Sequence, residues 1–238
     1  MGMSIWTHLE KLRNWALLLV NWNVMFRPSE LCEFCPLVDD IALPNDDENW
    51  DEDKYPRWVM LLLRNDKEEK NISYKMYLLR NYVDQRFCPV FHLLQWLSIA
   101  NIQSGPIFVR LCNGGTDSSV SSRSITTLDG LKQFVDESDV SVHIPYDHLR
   151  ESIYKPLFDA LKLEGCSPYS IRKSAIKWAG RCGAMNSEIR SVSRHKSEDN
   201  YMLYCEEGAT EAKKFRGGAA NDPIRKMWVF HPCTWSDT

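Results

Sequence analysis

The chain has 238 residues, of which 44% are hydrophobic and 26% are charged, and its formal net charge at pH 7 is −3. This length and composition are typical of one large or two small globular domains, and they exclude collagenous and low-complexity chains. No apolar run reaches the length of about 18 residues that predicts a membrane span, and the N-terminus lacks the basic flank and apolar core of a secretory signal.

The charge is unevenly distributed along the chain. Residues 1–53 hold eleven Asp and Glu but only three Lys and Arg, and most of these acids lie between residues 39 and 53. Residues 172–196 show the opposite pattern, with seven Lys and Arg against one acid, Glu188. A phosphate-binding face needs local cations rather than a basic average, so the overall charge does not exclude a nucleic-acid partner.

The eight cysteines are scattered along the chain. Without a secretion signal we expect them to be reduced and mostly buried. Cys32 and Cys35 form a lone Cys-x-x-Cys pair, and no second pair of ligands follows at close spacing. A structural zinc site needs four such ligands, so we expect no zinc site at this pair.

The first third of the chain predicts two helices, a loop and a hairpin. Apolar residues at spacings of three and four predict a helix over 4–22, and Pro28 suits the first turn of a short second helix. The acidic segment 38–56 is expected to be a loop with at most one short strand. Residues 57–64 and 73–81 are expected to pair as strands around a polar hairpin tip.

The middle of the chain is predicted to be mainly helical. The predicted helices cover residues 88–102, 127–137 and 146–163. Ile153, Leu157 and Leu161 are expected to face inward on the last of them. Between the first two, Gly105-Pro106 breaks the chain, and residues 113–124, rich in Gly, Ser and Asp, are expected to form a mobile loop.

The last part of the chain predicts further helices. They cover residues 167–182, 186–193 and 199–207. Gly183 is a suitable terminator for the first, and His195 lies between the other two. A glycine-rich tail from residue 213 ends in several aromatic residues. Because the predicted strands are grouped rather than alternating with helices, the expected fold class is α+β, mostly helical with a small antiparallel sheet.

Several short motifs occur in order along the chain. They are Arg27-Pro28-Ser29-Glu30-Leu31, the hairpin 57–81, Cys88-Pro89-Val90, Gly105-Pro106-Ile107-Phe108, Tyr169-Ser170-Ile171-Arg172, Arg194-His195-Lys196-Ser197 and Tyr204. The first resembles the Gly-x-Arg-x-Ser-Glu-Leu box of tyrosine recombinases, and the hairpin resembles the sheet that carries their catalytic lysine. The last three resemble their His-x-x-Arg box, their Gly-His-x-Ser box and their nucleophile, which follows the histidine by nine residues.

This resemblance implies a catalytic domain over residues 1–212, followed by a tail over 213–238. The order of motifs is similar to that in eukaryotic mobile elements such as Cryptons. The family usually carries an N-terminal DNA-clamping domain, for which the roughly 26 residues before Arg27 leave no room. The implied activity is DNA recombination through a 3′-phosphotyrosine intermediate, without metal or small-molecule cofactor. The implied partners are double-stranded DNA and further copies on that DNA, inside the cell and in the nucleus of a eukaryote, and no membrane.

The resemblance also implies roles for individual residues. Tyr204 is the expected nucleophile, with Tyr201 as the alternative one helical turn away. Lys67 is the expected general acid, and Lys70 is the alternative on the same hairpin tip. Arg27 and Arg172 are expected to hold the phosphate oxygens, His195 to bond the phosphate or assist the tyrosine proton, and Tyr169 to donate a hydrogen bond. The expected DNA contacts are Lys70, Lys173, Lys177, Arg194 and Lys196.

Two other functions remain open at this point. Tyr169 stands where most members of the family have histidine, and a phenol does not exchange a proton near neutral pH as an imidazole does. The chain could therefore be a DNA-binding module derived from a recombinase but without turnover. It could also be an unrelated helical interaction protein that uses its aromatic tail. Basic helix surfaces and helix-start ion pairs such as Arg27 with Glu30 are common in proteins with neither activity.

Overall fold

The computed structural model describes residues 8–32, 35–52, 54–64, 73–112, 122–126, 132–136, 143–195 and 201. Over these residues the protein combines helices with antiparallel sheets, as the α+β prediction requires. Within the same ranges, none of the helices is both long and apolar enough to span a bilayer.

Two helices open the described fold. Helix α1 (His8–Val24) buries a stripe of apolar side chains at three- and four-residue spacing, as predicted from the sequence. The stripe consists of Leu9, Ala16, Leu17, Val20 and Val24. Helix α2 (Pro28–Cys32) follows after a turn, and Pro28 lies in its first turn, where a missing N–H costs nothing.

A three-stranded antiparallel sheet follows, with the strand order β1-β2-β3. Its strands are β1 (Ile41–Ala42), β2 (Trp58–Arg64) and β3 (Ser73–Leu79). The side chains of β2 alternate in burial, with Val59, Leu61 and Leu63 fully buried, because successive residues of a strand face opposite sides. Strands β2 and β3 pair in the register that places Leu61 opposite Met76, so the predicted hairpin is confirmed.

The acidic segment folds onto this sheet as short turns around β1. Short 3-10 turns at Val38–Asp40 and Asp47–Asn49 flank β1. Asp40 forms an ion pair with Arg64 at the end of β2, and Asp51 forms one with Arg80 after β3. Two of the acids are therefore neutralised within the fold, by arginines at the end of β2 and just after β3.

Helix α3 (Pro89–Ile99) packs against α1. Trp96 is fully buried on it and donates from its indole nitrogen to the carbonyl of Ile107 at 2.7 Å. The segment after the helix is thereby fixed to the core. The helix is three residues shorter than the predicted end at 102, because Ala100 caps it and Asn101 adopts a left-handed conformation with φ of 51°.

A second three-stranded sheet contradicts two predictions. It consists of β4 (Leu111–Cys112), β5 (Ser122–Thr126) and β6 (Lys132–Asp136) in the order β4-β6-β5. The helix predicted over 127–137 is wrong, since its second half is strand β6, and the predicted loop 113–124 ends inside β5. The apolar spacing of this short segment is compatible with a helix. However, β6 pairs with both β4 and β5, and this pairing outweighs the local preference.

The helix predicted over 146–163 ends at residue 160 and is irregular. It begins as α4 (Tyr146–His148), continues as the π-helical segment Leu149–Tyr154, and ends as α5 (Lys155–Ala160). Ile153 is buried as predicted. Leu161 is 58% exposed, so its predicted inward orientation is wrong, because it lies one residue beyond the end of α5.

The last described helices are α6 (Pro168–Arg181) and α7 (Asn186–Ser193), as predicted. The backbone N–H of Ser167 donates to the hydroxyl of Ser170 at the start of α6, and Gly183 has φ of 94° just after its end. Helix α7 ends at Arg194, which adopts the left-handed conformation with φ of 56°. Helix α6 contacts both α1 and α7, so the residues after α1 and after α7 lie near one another.

Candidate functional site

The residues predicted from the sequence as a site lie on three elements. Arg27 immediately precedes α2, Arg172 lies in α6, and His195 follows α7. Lys67, Lys70, Lys196 and Tyr204 lie outside the described residues, so their predicted roles are not addressed by the geometry.

Arg27 and Glu30 form a close pair at the start of α2. The backbone N–H of Arg27 donates to Glu30 Oε2 at 2.6 Å, and its Nη1 donates to Oε1 at 3.0 Å. The Glu30 side chain is fully buried, whereas that of Arg27 is 14% exposed. Glu30 therefore caps α2 and at the same time fixes the Arg27 side chain.

Arg172 is fully buried inside the fold. Its Nη1 donates to the carbonyl of Met25, and its Nη2 donates to the carbonyl of Ser193. The side chain thus joins the turn before α2 to the end of α7, across 147 and 21 residues of sequence respectively. The two predicted arginines meet there, because Met25 lies two residues before Arg27.

Arg194 does not lie at the protein surface, where a DNA contact was expected. Its side chain is fully buried, and Nη2 donates to Glu30 Oε2 at 2.5 Å. Its guanidinium carbon also lies 5.8 Å from the ring centre of Phe26 and 5.9 Å from that of Tyr74. The expectation of a direct DNA contact is therefore corrected, since this charge is used inside the fold.

These side chains form one group, which we call the arginine cluster: Arg27, Glu30, Arg172 and Arg194. Besides the shared carboxylate, the members are joined through adjacent carbonyl groups. Arg172 donates to the carbonyl of Ser193, and Arg27 Nη2 donates to that of Arg194 at 3.1 Å. Three guanidinium groups face one carboxylate, which leaves an excess of two positive charges within the cluster.

Burial and neighbouring charges shift the protonation equilibrium of Arg172. Burial is the largest cause and the Arg194 charge adds to it, Glu30 opposes both, and together they lower the pKa of Arg172 to about 10. In addition, Nε of Arg172 and Nε of Arg194 are buried and have no hydrogen-bond partner among the described residues. Buried donors of this kind carry a desolvation cost that an anion would relieve.

His195 lies beside this cluster. Its Nδ1 lies 2.7 Å from the hydroxyl of Ser193, within hydrogen-bond distance. Partial burial and, after it, the charges of Arg172, Arg27 and Arg194 together lower the pKa of His195 to about 4. The lowered pKa favours the neutral imidazole, whose unprotonated nitrogen accepts hydrogen bonds.

After His195, the next residue that the structure describes is Tyr201. Its side chain is buried, its hydroxyl donates to Asn186 Oδ1 at 3.0 Å, and its ring centre lies 6.0 Å from that of His195. The hydroxyl is thus bound to the first residue of α7. This arrangement suits a residue that anchors the chain onto α7.

Tyr169 and two lysines present the outer surface of α6. Tyr169 is 39% exposed in the first turn, one helical turn before Arg172. Lys173 and Lys177 are half-buried and lie one turn apart on the same helix. Helix α6 therefore carries Arg172 on its buried side and the basic residues Lys173 and Lys177 on its outer side.

Strand β3 packs against the arginine cluster. Arg194 contacts Tyr74 and also Met76, whose sulfur lies 3.4 Å from Nη1, and both residues belong to β3. Strand β1 lies at the opposite edge of the sheet, beyond β2. Tyr74 also immediately follows Ser73, where β3 leaves the hairpin tip.

Sequence reasoning did not identify every residue of the site. Met25, Ser193 and Asn186 were missed because they act through backbone carbonyls or a helix-start amide, which no motif marks. The left-handed backbone of Arg194 could have been predicted from the sequence. The Gly-His-x-Ser box that this segment resembles has glycine at this position, and glycine favours left-handed backbone.

No protein-family model matches the chain, and no curated protein shows significant sequence similarity to it. Over the described residues, no group of three or more His, Cys, Asp or Glu side chains is arranged to hold a metal ion. Cys32, Cys35 and Cys88 are buried free thiols, and Cys166 is exposed.

Proposed function

We propose that this chain is a tyrosine recombinase catalytic domain, which cleaves and rejoins DNA strands through a 3′-phosphotyrosine intermediate. The observation that carries the proposal is the convergence of Arg27 and Arg172 on one turn, with buried positive charge in excess and His195 alongside. An anion is the group that such an excess of donors stabilises, and a phosphodiester is the anion of DNA.

In the proposed reaction, the hydroxyl oxygen of Tyr204 attacks phosphorus, and the bond from phosphorus to the 5′ oxygen breaks. The tyrosine proton passes to a ring nitrogen of His195 only as the bond to phosphorus forms, because the lowered pKa of His195 makes the free imidazole a weak base. The 5′ oxygen takes a proton from Lys67 or Lys70. Arg27 and Arg172 stabilise the charge that develops on the non-bridging oxygens. Reversal of the same steps rejoins the strand.

The burial of the cluster sets the order in which a phosphate would meet these groups. Arg27 retains an exposed edge, and Arg172 has none. A phosphate therefore contacts Arg27 first. To bond the Nη atoms of Arg172 it must replace the carbonyls of Met25 or Ser193, whereas Nε of Arg172 has no hydrogen-bond partner among the described residues.

The test is covalent capture on a nicked duplex, detected as a protein–DNA adduct on a denaturing gel. The unmodified chain is expected to form the adduct, and Tyr204→Phe is expected to form none, because only the attacking oxygen is lost. Tyr201→Phe is the matched control, and it should retain the adduct since Tyr201 bonds Asn186. An adduct lost in Tyr201→Phe and kept in Tyr204→Phe would identify the other tyrosine as nucleophile.

The second candidate function is DNA binding without cleavage. The observations that favour it are the complete burial of Arg172 and the presence of Tyr169 where the family motif has histidine. A module of this kind would bind duplex DNA with an affinity that falls steeply with salt, by counterion release. Salt-dependent binding with no adduct on any nicked substrate would decide for this function.

A further inference from the structure

We propose that Arg194 is a positioning residue, whose left-handed turn and buried guanidinium together hold Arg27 and Arg172 in place. This inference rests on the proposed function for its effect on cleavage, but the contacts that carry it are independent of DNA. Arg194 touches neither a substrate nor the surface, since its side chain is fully buried.

The backbone of Arg194 makes the first part of the argument. With φ of 56° and ψ of 38°, it ends α7 and turns the chain away from the helix axis. The carbonyls of Ser193 and Arg194 then accept hydrogen bonds from Arg172 and Arg27 respectively. A residue in right-handed conformation at this position would continue α7 and direct these carbonyls along the helix instead.

The side chain of Arg194 makes the second part. Nη2 donates to Glu30 Oε2, while the other carboxylate oxygen of Glu30 accepts from Arg27. Nη1 donates to the carbonyl of Val192 at 2.8 Å, within the last turn of α7. The Glu30 carboxylate is therefore held on one side by Arg194 and on the other side by Arg27. Glu30 cannot rotate without breaking a buried ion pair.

The identity of the residue supports this role. Left-handed backbone is unfavourable for a residue with a side chain, and glycine adopts it readily. Burial of a guanidinium is also costly unless the group is paired. Arg194 carries both energetic costs, the left-handed backbone and the buried guanidinium. Its contacts with Glu30, Val192 and the Phe26 ring offset these costs.

The test compares Arg194→Gly, which suits the left-handed turn but lacks the guanidinium, with Arg194→Lys, which retains a charge. For each variant, DNA affinity and its salt dependence are measured separately from the rate of adduct formation. We expect DNA affinity to stay within about twofold, because the side chain is buried, and the adduct rate to fall about 10²-fold in Arg194→Gly, the usual cost of a misplaced catalytic group. Arg194→Lys should recover at least a tenth of the original rate. Weaker binding with a shallower salt slope, or an unchanged adduct rate in Arg194→Gly, would overturn the proposal.

A second measurement separates this proposal from the proposed function. The guanidinium N–H signals of Arg27, followed by NMR without DNA, are expected to be resolved in the unmodified chain, because Glu30 and a carbonyl hold the group. They should broaden or be lost in Arg194→Gly and persist in Arg194→Lys. If the chain forms no adduct, the proposed function fails while loss of these signals still supports positioning. Unchanged Arg27 signals in both variants would overturn the positioning role whatever the adduct assay shows.

Discussion

Two regions of the molecule each contain a buried arginine beside a half-buried histidine. At the arginine cluster these are Arg172 and the adjacent His195, and at α1 they are Arg13 of α1 and His148 of α4. Burial is the largest cause of all four shifts: the pKa of each arginine is lowered to about 10, and the pKa of each histidine to about 4. The shifts alone therefore do not distinguish the two regions.

The difference lies in the charges around each arginine. Arg13 donates to the amide oxygen of Asn14 at 2.9 Å and to the carbonyl of Val109, and Glu10 raises its pKa against the effect of burial. In contrast, Arg172 lies near two further arginines that lower its pKa, and only Glu30 among the acids opposes them. The balance of charge, rather than the size of a pKa shift, is what suits the arginine cluster to the proposed anion.

The largest expected effect comes from removing the carboxylate of each region. Glu30→Gln removes the carboxylate that pairs with Arg27 and with the fully buried Arg194, so we expect the free energy of unfolding to fall by about 3–5 kcal/mol, the usual cost of breaking a buried pair. Glu10→Gln is the matched control, and for this half-buried residue we expect a loss of less than about 1 kcal/mol. Urea unfolding at pH 7 measures both, and equal losses would contradict the distinction between the regions.

Much of the scaffold around these regions was predictable from sequence. The helices α1, α3, α6 and α7 and the β2–β3 hairpin have clear apolar spacing and clear terminators, so local physics is enough to place them. The second sheet was missed because Phe134 and Val135 fit a helical spacing as well as a strand. Its pairing with β4 and β5 is not visible in a local window, although Asp129-Gly130 is a turn signal in the sequence.

The site was predictable only in part, for a related reason. The motifs identified Arg27, Arg172 and His195 as candidate site residues, and these residues lie close together in the structure. Arg194 was misinterpreted because a sequence does not show whether a basic residue near a helix end faces solvent. Only the three-dimensional position of Glu30, 164 residues away, explains why this one is buried.

An intermediate effect is expected from pH, in both regions. His148 and His195 have an ordinary pKa of 6.5 when unfolded, against about 4 in the folded chain. Protons therefore bind the unfolded chain first, so both contributions to stability are complete above pH 6.5 and are lost as the pH falls towards 4. Since both rings are only half-buried, we reduce the full linkage value for solvent screening and expect about 1 kcal/mol from each.

Substitution separates this contribution from that of the carboxylates. Thermal unfolding of the unmodified chain, His195→Gln and His148→Gln is compared between pH 7 and pH 4.5. Each variant should lose less stability over this interval than the unmodified chain. A variant whose stability follows the same pH curve as the unmodified chain would show that its histidine has the same pKa in the folded and unfolded states.

The smallest expected effect is the one that tests the charge difference most directly. If the arginine cluster accepts an anion at its exposed Arg27 edge, then about 10 mM sulfate with a dissociation constant of similar size stabilises the chain by about 0.4 kcal/mol. Chloride at matched ionic strength should give less, because it offers no array of oxygens to guanidinium groups. Arg27→Gln should abolish the difference between the salts, whereas Arg110→Gln, which removes the exposed arginine near His148, should keep it. A sulfate effect that survives Arg27→Gln but not Arg110→Gln would move the anion site to α1, and the excess charge of the arginine cluster would then have to be balanced by another part of the chain.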